Sequence, residues 1–271
     1  MDPTSPTTGD SVFFIGTATT IITFGGLRVL TDPNFLHRGQ RAYLGRGLSS
    51  RRRTKPAMTV DQLPPLDAVV LSHLHGDHWD RVARRGLDRK LPILTTRHAA
   101  RRLRLQGFRE AVPMTTWQSQ TITSGSTTLR VTSLPGRHAP GPLRRVLPPV
   151  MGSLLEFETS PGRVALRLYV TGDTLFYPGL QEIHERHPEV DLALLHLGGT
   201  RILGKLVTMD ATQGVELLEL IRPRAAVPIH YDDYGVFKSP LADFQRLAAA
   251  RPLPTSLSYL GRGESLPIGR G

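Results

Sequence analysis

Apolar positions along this chain gather into short runs of four to eight residues, most of them rich in Val, Ile, Leu and Phe and closed by Gly, Pro, Asp or Ser. Runs of that length and composition read as strands rather than helices. The spacing predicts strands over residues 11–15, 19–24 and 27–31, the last two joined by Gly25–Gly26, a hairpin signal. Further strands are predicted over 67–71 (DAVVL), 92–96, 120–123, 128–133, 152–158, 163–170 (RVALRLYV), 191–195 and 225–229, with a short one near the C-terminus. Helical spacing appears near 79–87, 97–106, 178–186, 211–221 behind a capping Asp210, and 239–250. Strands alternating with helices imply an α/β domain. No linker interrupts residues 11–271, which are expected to form one domain behind a polar, disordered tail at 1–10. Two stretches, 34–65 and 139–151, mix Gly, Pro and Arg with little periodicity. They are expected to be functional loops.

The chemistry sits where strands end. Residues 67–71 run out through Ser72 into His73, Leu74, His75, Gly76, Asp77 and His78, four metal-competent side chains in six residues. In extended chain a His-x-His pair points both imidazoles the same way. Gly76 then permits a turn that brings Asp77 and His78 back to the same point. His138 follows the strand at 128–133, Asp173 follows 163–170 in the run TGDT, and His230 follows 225–229. Together these make seven candidate ligands, enough for two neighbouring metal sites with one bridging carboxylate. Asp32 also leaves a strand and is a candidate to orient a ligand imidazole from behind. His98, on a helix, reads as a surface residue.

Composition narrows the metal. The chain has no cysteine, so any ion is held by nitrogen and oxygen, as in catalytic rather than sulfur-rich structural sites. Two divalent ions are expected, zinc first, with manganese or iron as alternatives. The net charge of +11 and a pI near 10.7 fit an anionic substrate. They are weaker evidence for nucleic acid, since the basic residues are dispersed, lack interleaved aromatics and are nearly all Arg, a bias that GC-rich coding produces. No run approaches a membrane span and the N-terminus lacks an apolar leader, so a cytoplasmic location is expected. Peripheral membrane contact and oligomeric state stay open.

SHLHGDHWD followed by GRH, TGDT and PIHY resembles the metallo-β-lactamase superfamily. The resemblance implies a four-layer αββα sandwich. It implies one metal on His73, His75 and His138, a second on Asp77, His78 and His230, and Asp173 between them. At a finer level, IGTATTIITFGGLRVLTDP and TMDATQGVELLELIRPRAAVPIHY resemble the branch of ascorbate-phosphate lactonases and N-acyl phosphatidylethanolamine phospholipase D enzymes. LALLHLGGT departs from that branch in carrying His196 where Pro is common. Main-subclass lactamases place a Cys in the second site, and this chain has none. Flavodiiron relatives carry Glu at the position of His75, and β-CASP nucleases need an inserted domain for which this chain has no room.

The implied activity is hydrolysis of an anionic ester, a phosphodiester or a phosphorylated lactone, by water acidified at the metals, so no Ser or Cys nucleophile is needed. Asp77 is the candidate to orient that water. His196, Tyr231 and Arg137 are candidates to donate to the developing charge or the leaving group. Arg137, Arg144 and Arg145, and further back Arg51, Arg52 and Arg53, are candidates to hold substrate charge beside Leu and Val residues that suit an apolar portion. A nuclease of the same fold and a non-catalytic metal sensor are the alternatives.

Overall fold

A computed structural model describes residues 9–45, 47–160 and 162–269. Most of the tail expected at 1–10 lies outside them. In chain order the first half contains β1 (Ser11–Gly16), β2 (Thr19–Phe24), β3 (Leu27–Thr31), β4 (Arg41–Gly45), β5 (Leu48–Arg51), β6 (Ala68–Leu71), α1 (Arg81–Gly86), β7 (Ile93–Thr96), α2 (Arg97–Leu105) and β8 (Ala111–Met114). Next come β9 (Ser119–Ser124), β10 (Thr127–Leu134), β11 (Gly152–Ser160), β12 (Arg163–Val170), α3 (Gln181–Arg186) and β13 (Leu192–His196). The chain closes with β14 (Arg201–Ile202), β15 (Lys205–Leu206), α4 (Ala211–Ile221), β16 (Ala225–Ile229), α5 (Leu241–Ala249), β17 (Ser256–Leu257) and β18 (Ser265–Pro267).

Two seven-stranded sheets form, in the orders β18-β1-β2-β3-β6-β7-β8 and β17-β16-β13-β12-β11-β10-β9. Each is antiparallel in its hairpin half and parallel at β3-β6-β7-β8 and at β12-β13-β16-β17, where α-helices make every crossover except β3 to β6, which passes through the β4–β5 hairpin. Strand alternation sorts the apolar side chains into three layers. Val12, Phe14, Ile22, Phe24, Leu155, Phe157, Leu168 and Leu194 meet between the sheets, with Phe24 and Phe157 touching across the seam at 5.2 Å between ring centroids. Phe13, Ile15, Ile21, Val69 and Leu71 face outward to meet Ala83 of α1 and Ala99 and Leu103 of α2. Leu154, Tyr169, Ala193 and Leu195 meet Ile183 of α3, Val215 and Leu218 of α4 and Phe244 of α5. The result is the αββα sandwich the resemblance implies. Strands buried on both faces explain why the sequence shows unbroken apolar runs rather than alternation.

Three segments differ from the sequence expectation. The stretch 34–65 is not structureless, because β4 and β5 form a protruding hairpin and Val60–Gln62 a 3-10 turn. A second hairpin, β14–β15, follows β13. β8 (AVPM) extends the first sheet in parallel with β7 despite its proline, which an edge strand tolerates.

Candidate metal centre

The parallel pairings point the C-terminal ends of β3, β6, β12, β13 and β16 to one edge of the sandwich, and β10 runs the same way as β12 through β11. Asp32, the His73–His78 run, Asp173, His196, His230 and His138 leave these ends. They come together although up to 198 positions separate Asp32 from His230 in sequence (230 − 32). The first sheet contributes Asp32 and the 73–78 run, the second His138, Asp173, His196 and His230.

Four groups of side-chain donor atoms lie within 4.8 Å of one another: His73–His75–His138, His73–His78–Asp173, Asp77–His78–His230 and Asp32–His78–His196. In the first, His73 Nε2 and His138 Nε2 approach His75 Nδ1 at 3.0 and 3.2 Å. The outer nitrogen of His138 is fixed by a carbonyl, since Nδ1 lies 2.8 Å from Val207 O, which can only accept. Nδ1 therefore carries the proton, and the Nε2 lone pair faces the centre. The same logic orients His230, whose Nδ1 donates to Leu197 O at 3.0 Å. Its backbone is left-handed (φ 64), held by His230 N donating to Thr17 O at 2.8 Å. Gly198 is required beside it, because a Cβ there would sit 2.9 Å from His230 O.

Asp32, itself at φ 35, holds two things at once. Oδ1 accepts from Ser72 N (2.7 Å) and Ser72 Oγ (2.9 Å), tying down the start of the ligand run. Oδ2 faces His78 Nδ1 at 3.3 Å and His196 Nε2 at 3.4 Å. Thr208 Oγ1 donates to Asp173 Oδ2 at 3.2 Å. Sequence reasoning missed Thr208, since a lone Thr behind a hairpin carries no signal.

The electrostatics divide the centre. Burial pushes His75 down to about 3 and His73 well below the ordinary imidazole range, and His138 follows for the same reason. All three are neutral, as ligation requires. Burial acts on His78 and His230 in the same direction, but Asp173 and the other carboxylates outweigh it and raise both. Burial would also raise the acids, yet the facing imidazoles hold Asp32 at about 2 and keep Asp77 and Asp173 below the usual range. The contacts joining these groups are long: 3.4 Å for His78 Nε2–Asp173 Oδ1 and 3.5 Å for His230 Nε2–Asp77 Oδ2. His78 Nε2, His230 Nε2, Asp77 Oδ1 and Asp173 Oδ1 are buried without a hydrogen-bond partner among the described residues. Buried orphan atoms of imidazole nitrogen and carboxylate oxygen, converging on one place, are the donor set a divalent ion takes once the two imidazoles give up their protons.

Several candidates fall elsewhere. His196 is fully buried behind His78, its ring stacked 6.0 Å from that of His78 and its Nδ1 3.2 Å from Thr171 Oγ1. It faces Asp32 rather than a cavity, so it is placed to position groups and not to protonate a leaving group. Tyr231 turns its half-buried ring into the layer between the second sheet and its helices. Arg52 does not reach the mouth. It is fully buried, donating to Asn34 O and Oδ1 (2.9 and 2.6 Å) and pairing with Asp233 (3.5 Å). Asn34 Nδ2 in turn donates to Gly76 O at 2.9 Å, so this buried network braces the turn before Asp77. Gly76 serves a different purpose from the one expected. Its φ is not positive, but a Cβ would lie 2.6 Å from the backbone N and O of Tyr43. The glycine lets the β4–β5 hairpin seat directly on the ligand turn.

Two cavities open at this edge and share His138. One, about 320 Å3, is lined by His75, Asp77, His138 and Asp173 at its floor, with Leu44, Leu48, Ile202, Leu203, Val207 and Val236 among its walls. The other, about 580 Å3, runs along residues 136–150 and includes Arg137, Arg144 and Arg145. Arg137 lies over the Tyr177 ring at 4.0 Å.

A sandwich of this order with His and Asp side chains converging at one edge defines a class of metal-dependent hydrolases. The Beta-lactamase superfamily domain profile matches residues 27–231, and the chain belongs to that family, as a metal-dependent hydrolase of the metallo-β-lactamase superfamily. A UPF0173 metal-dependent hydrolase of Archaeoglobus fulgidus is 27% identical over 203 residues, covering 73% of this chain and 80% of the relative. One from Deinococcus radiodurans is 30% identical over 181 residues, 66% of this chain and 70% of the relative. Among solved structures, isothiocyanate hydrolase from Delia radicum gut bacteria superposes with a TM-score of 0.80 at 19% identity, covering 95% of this chain and 99% of that one. A possible metal-dependent hydrolase from Veillonella parvula gives 0.79 at 20% identity, with 96% and 100% covered. At these identities the structural likeness concerns the fold.

Proposed function

We propose that the chain is a dinuclear hydrolase of an amphipathic anionic ester, a phosphodiester or a phosphorylated lactone bearing an apolar portion. In this reading His73, His75 and His138 hold one divalent ion, zinc by preference, and Asp77, His78 and His230 the other, with Asp173 between them. Such a pair of ions supplies an acidified water and polarises a substrate oxygen. The protein's own part is orientation. Asp77 would bind the ion through one carboxylate oxygen and accept a proton from the attacking water with the other, and its lowered pKa keeps the carboxylate an acceptor at neutral pH. Asp32, with Ser72 and His196 around it, keeps the His78 ring in one orientation.

The observation that carries the substrate class is the 320 Å3 cavity, whose floor is the ligand set and whose walls are mainly aliphatic. A free sugar phosphate would leave those walls wet. Arg137, Arg144 and Arg145 line the adjoining cavity across His138, which supports giving them the substrate's charge. The test is a series of p-nitrophenyl alkyl phosphodiesters with the zinc- or manganese-loaded protein. Each added methylene should raise kcat/KM about 4-fold until the cavity is full, following from about 0.8 kcal/mol per buried CH2. Arg144→Ala/Arg145→Ala should raise KM for the anionic series and leave a neutral ester little changed. A flat chain-length profile would remove the apolar subsite from the proposal.

A further inference from the structure

Among the described residues six large hydrophobic side chains stand exposed: Tyr43, Leu48, Leu105, Val146, Leu203 and Tyr259. Four of them belong to the three segments that surround the cavities just described. Tyr43 (61% exposed) and Leu48 (50%) lie on β4 and β5, Leu203 (88%) at the tip of β14–β15, and Val146 (43%) at the end of the 3-10 turn Gly141–Arg145. Leu48 and Leu203 line one cavity together, and the Val146 segment lines the other, which adjoins it at His138. Single exposed leucines need no explanation, but exposed apolar tips gathered on one rim do.

The charge of the rim says what covers it. Segments 34–58, 136–151 and 198–207 contain no Asp or Glu at all, and seven, three and two Lys or Arg respectively. Arg52 is buried and paired. Arg41, Arg51, Arg144, Arg145, Arg201 and Lys205 are exposed, and among the described residues only Arg201 of these comes near a carboxylate, Asp210 at 3.7 Å. A second copy of the chain meeting this face symmetrically would set cationic rim against cationic rim. Nucleic acid would match the charge but would leave Leu48, Leu203 and Val146 in contact with water or phosphate, and among the exposed described residues of these segments Tyr43 and His37 alone offer a ring for a base to stack on. Aliphatic tips interspersed with arginine and lysine are what an anionic lipid surface takes. The tips enter the boundary of the acyl chains and the cations stay at the headgroups. Among the described residues no helix is long and apolar enough to cross a membrane, and the contact proposed is interfacial.

We infer that the β4–β5 hairpin, the β14–β15 hairpin and the 141–147 turn form one docking surface for an anionic bilayer, with the mouth of the cavity facing the lipid. The inference concerns where the protein works and stands apart from what it cleaves.

The test is co-sedimentation of the full, metal-loaded chain with vesicles of phosphatidylcholine alone or mixed ~3:1 with phosphatidylglycerol, each arginine or lysine near the surface contributing roughly 5-fold in partitioning. Binding is expected to the mixed vesicles only, to weaken as salt rises, and to fall about 10-fold or more in Tyr43→Ser/Val146→Ser, with a further loss on Leu203→Ser. Thermal melts of these surface variants check that each remains folded. Three results would overturn the inference. One is no binding to anionic vesicles, and another is binding unchanged in folded tip variants, which would mean charge alone is at work. The third is single-stranded RNA displacing the vesicles with an affinity the tip substitutions do not touch. The readout needs no turnover, so its failure leaves the phosphodiester assay standing, and failure of that assay leaves the vesicle result intact.

Discussion

Stripping the ions should cost this protein a large part of its thermal stability. The perturbation is a strong chelator near neutral pH, followed by reloading with zinc. Four donor atoms, His78 Nε2, His230 Nε2, Asp77 Oδ1 and Asp173 Oδ1, are buried with no hydrogen-bond partner among the described residues, and they come from both sheets. Leaving such an atom unpaired costs about 1–3 kcal/mol, so the four place roughly 4–12 kcal/mol at the disposal of an ion that satisfies them. Mass action gives a consistent figure, since a site at 1,000 times its Kd stabilises the folded state by about 4 kcal/mol. A domain of this size shifts its Tm by roughly 2–4 °C per kcal/mol, so one site predicts a gain of about 8–16 °C and two sites more. Differential scanning calorimetry on chelated and reloaded samples, with bound metal counted by mass spectrometry, reads this directly. If the reloaded protein holds at least one ion and melts within a degree or two of the stripped form, the four atoms are not donors to that ion and the assigned centre is wrong.

Three further outcomes follow from the same geometry. His78 and His230 sit above the ordinary value of 6.5 and so carry protons near that pH without metal. Loading should therefore release about two protons per chain, read by calorimetry in buffers of different ionisation enthalpy, and release near zero would contradict the ligand assignment. Asp77→Ala should abolish turnover at matched metal content with the fold retained by circular dichroism, and near-normal activity would end the role given to its free oxygen. Asp233 is buried against Arg52 and Arg262, and although burial alone would raise it, Arg262 holds it below its ordinary 3.8. Asp233→Asn should cost about 3–5 kcal/mol in urea unfolding at neutral pH. Because the folded pKa is the lower one, that stability is present above 3.8 and is lost as the pH falls through the folded value. The Asn variant should accordingly show a shallower acid limb than the parent.

The sandwich is readable in the sequence because its strands are buried on both faces. VVL, LYV and LALL are buried at every position, and such runs stand out. The ligand cluster is readable for a related reason: strand ends are where side chains leave the core, and a His or Asp there has no packing task. What stays hidden is whatever depends on a partner distant in sequence. His196 ends a buried strand as His230 follows one, and nothing local says that one faces Asp32 and the other the centre. Arg52 sits in the run Arg51–Arg53 with two exposed neighbours, and it is turned inward by Asn34 and by the carboxylate of Asp233, 181 residues later. The hairpins at 41–51 and 201–206 are short, carry arginines and pair only within themselves, so they leave neither period nor apolar run to find.

Those two hairpins stand apart from the packing that holds the sandwich. Their side chains join only small satellite clusters, around Ala42 and Val207, and not the three apolar layers that hold the sandwich. The β4–β5 hairpin is nonetheless held to the ligand turn through its backbone, Gly76 N donating to Tyr43 O at 2.8 Å, so it is its side chains rather than its length that are free to change. Changing the side chains of Leu44, Leu48, Ile202 and Leu203 would reshape the cavity wall while leaving His75, Asp77, His138 and Asp173 at its floor.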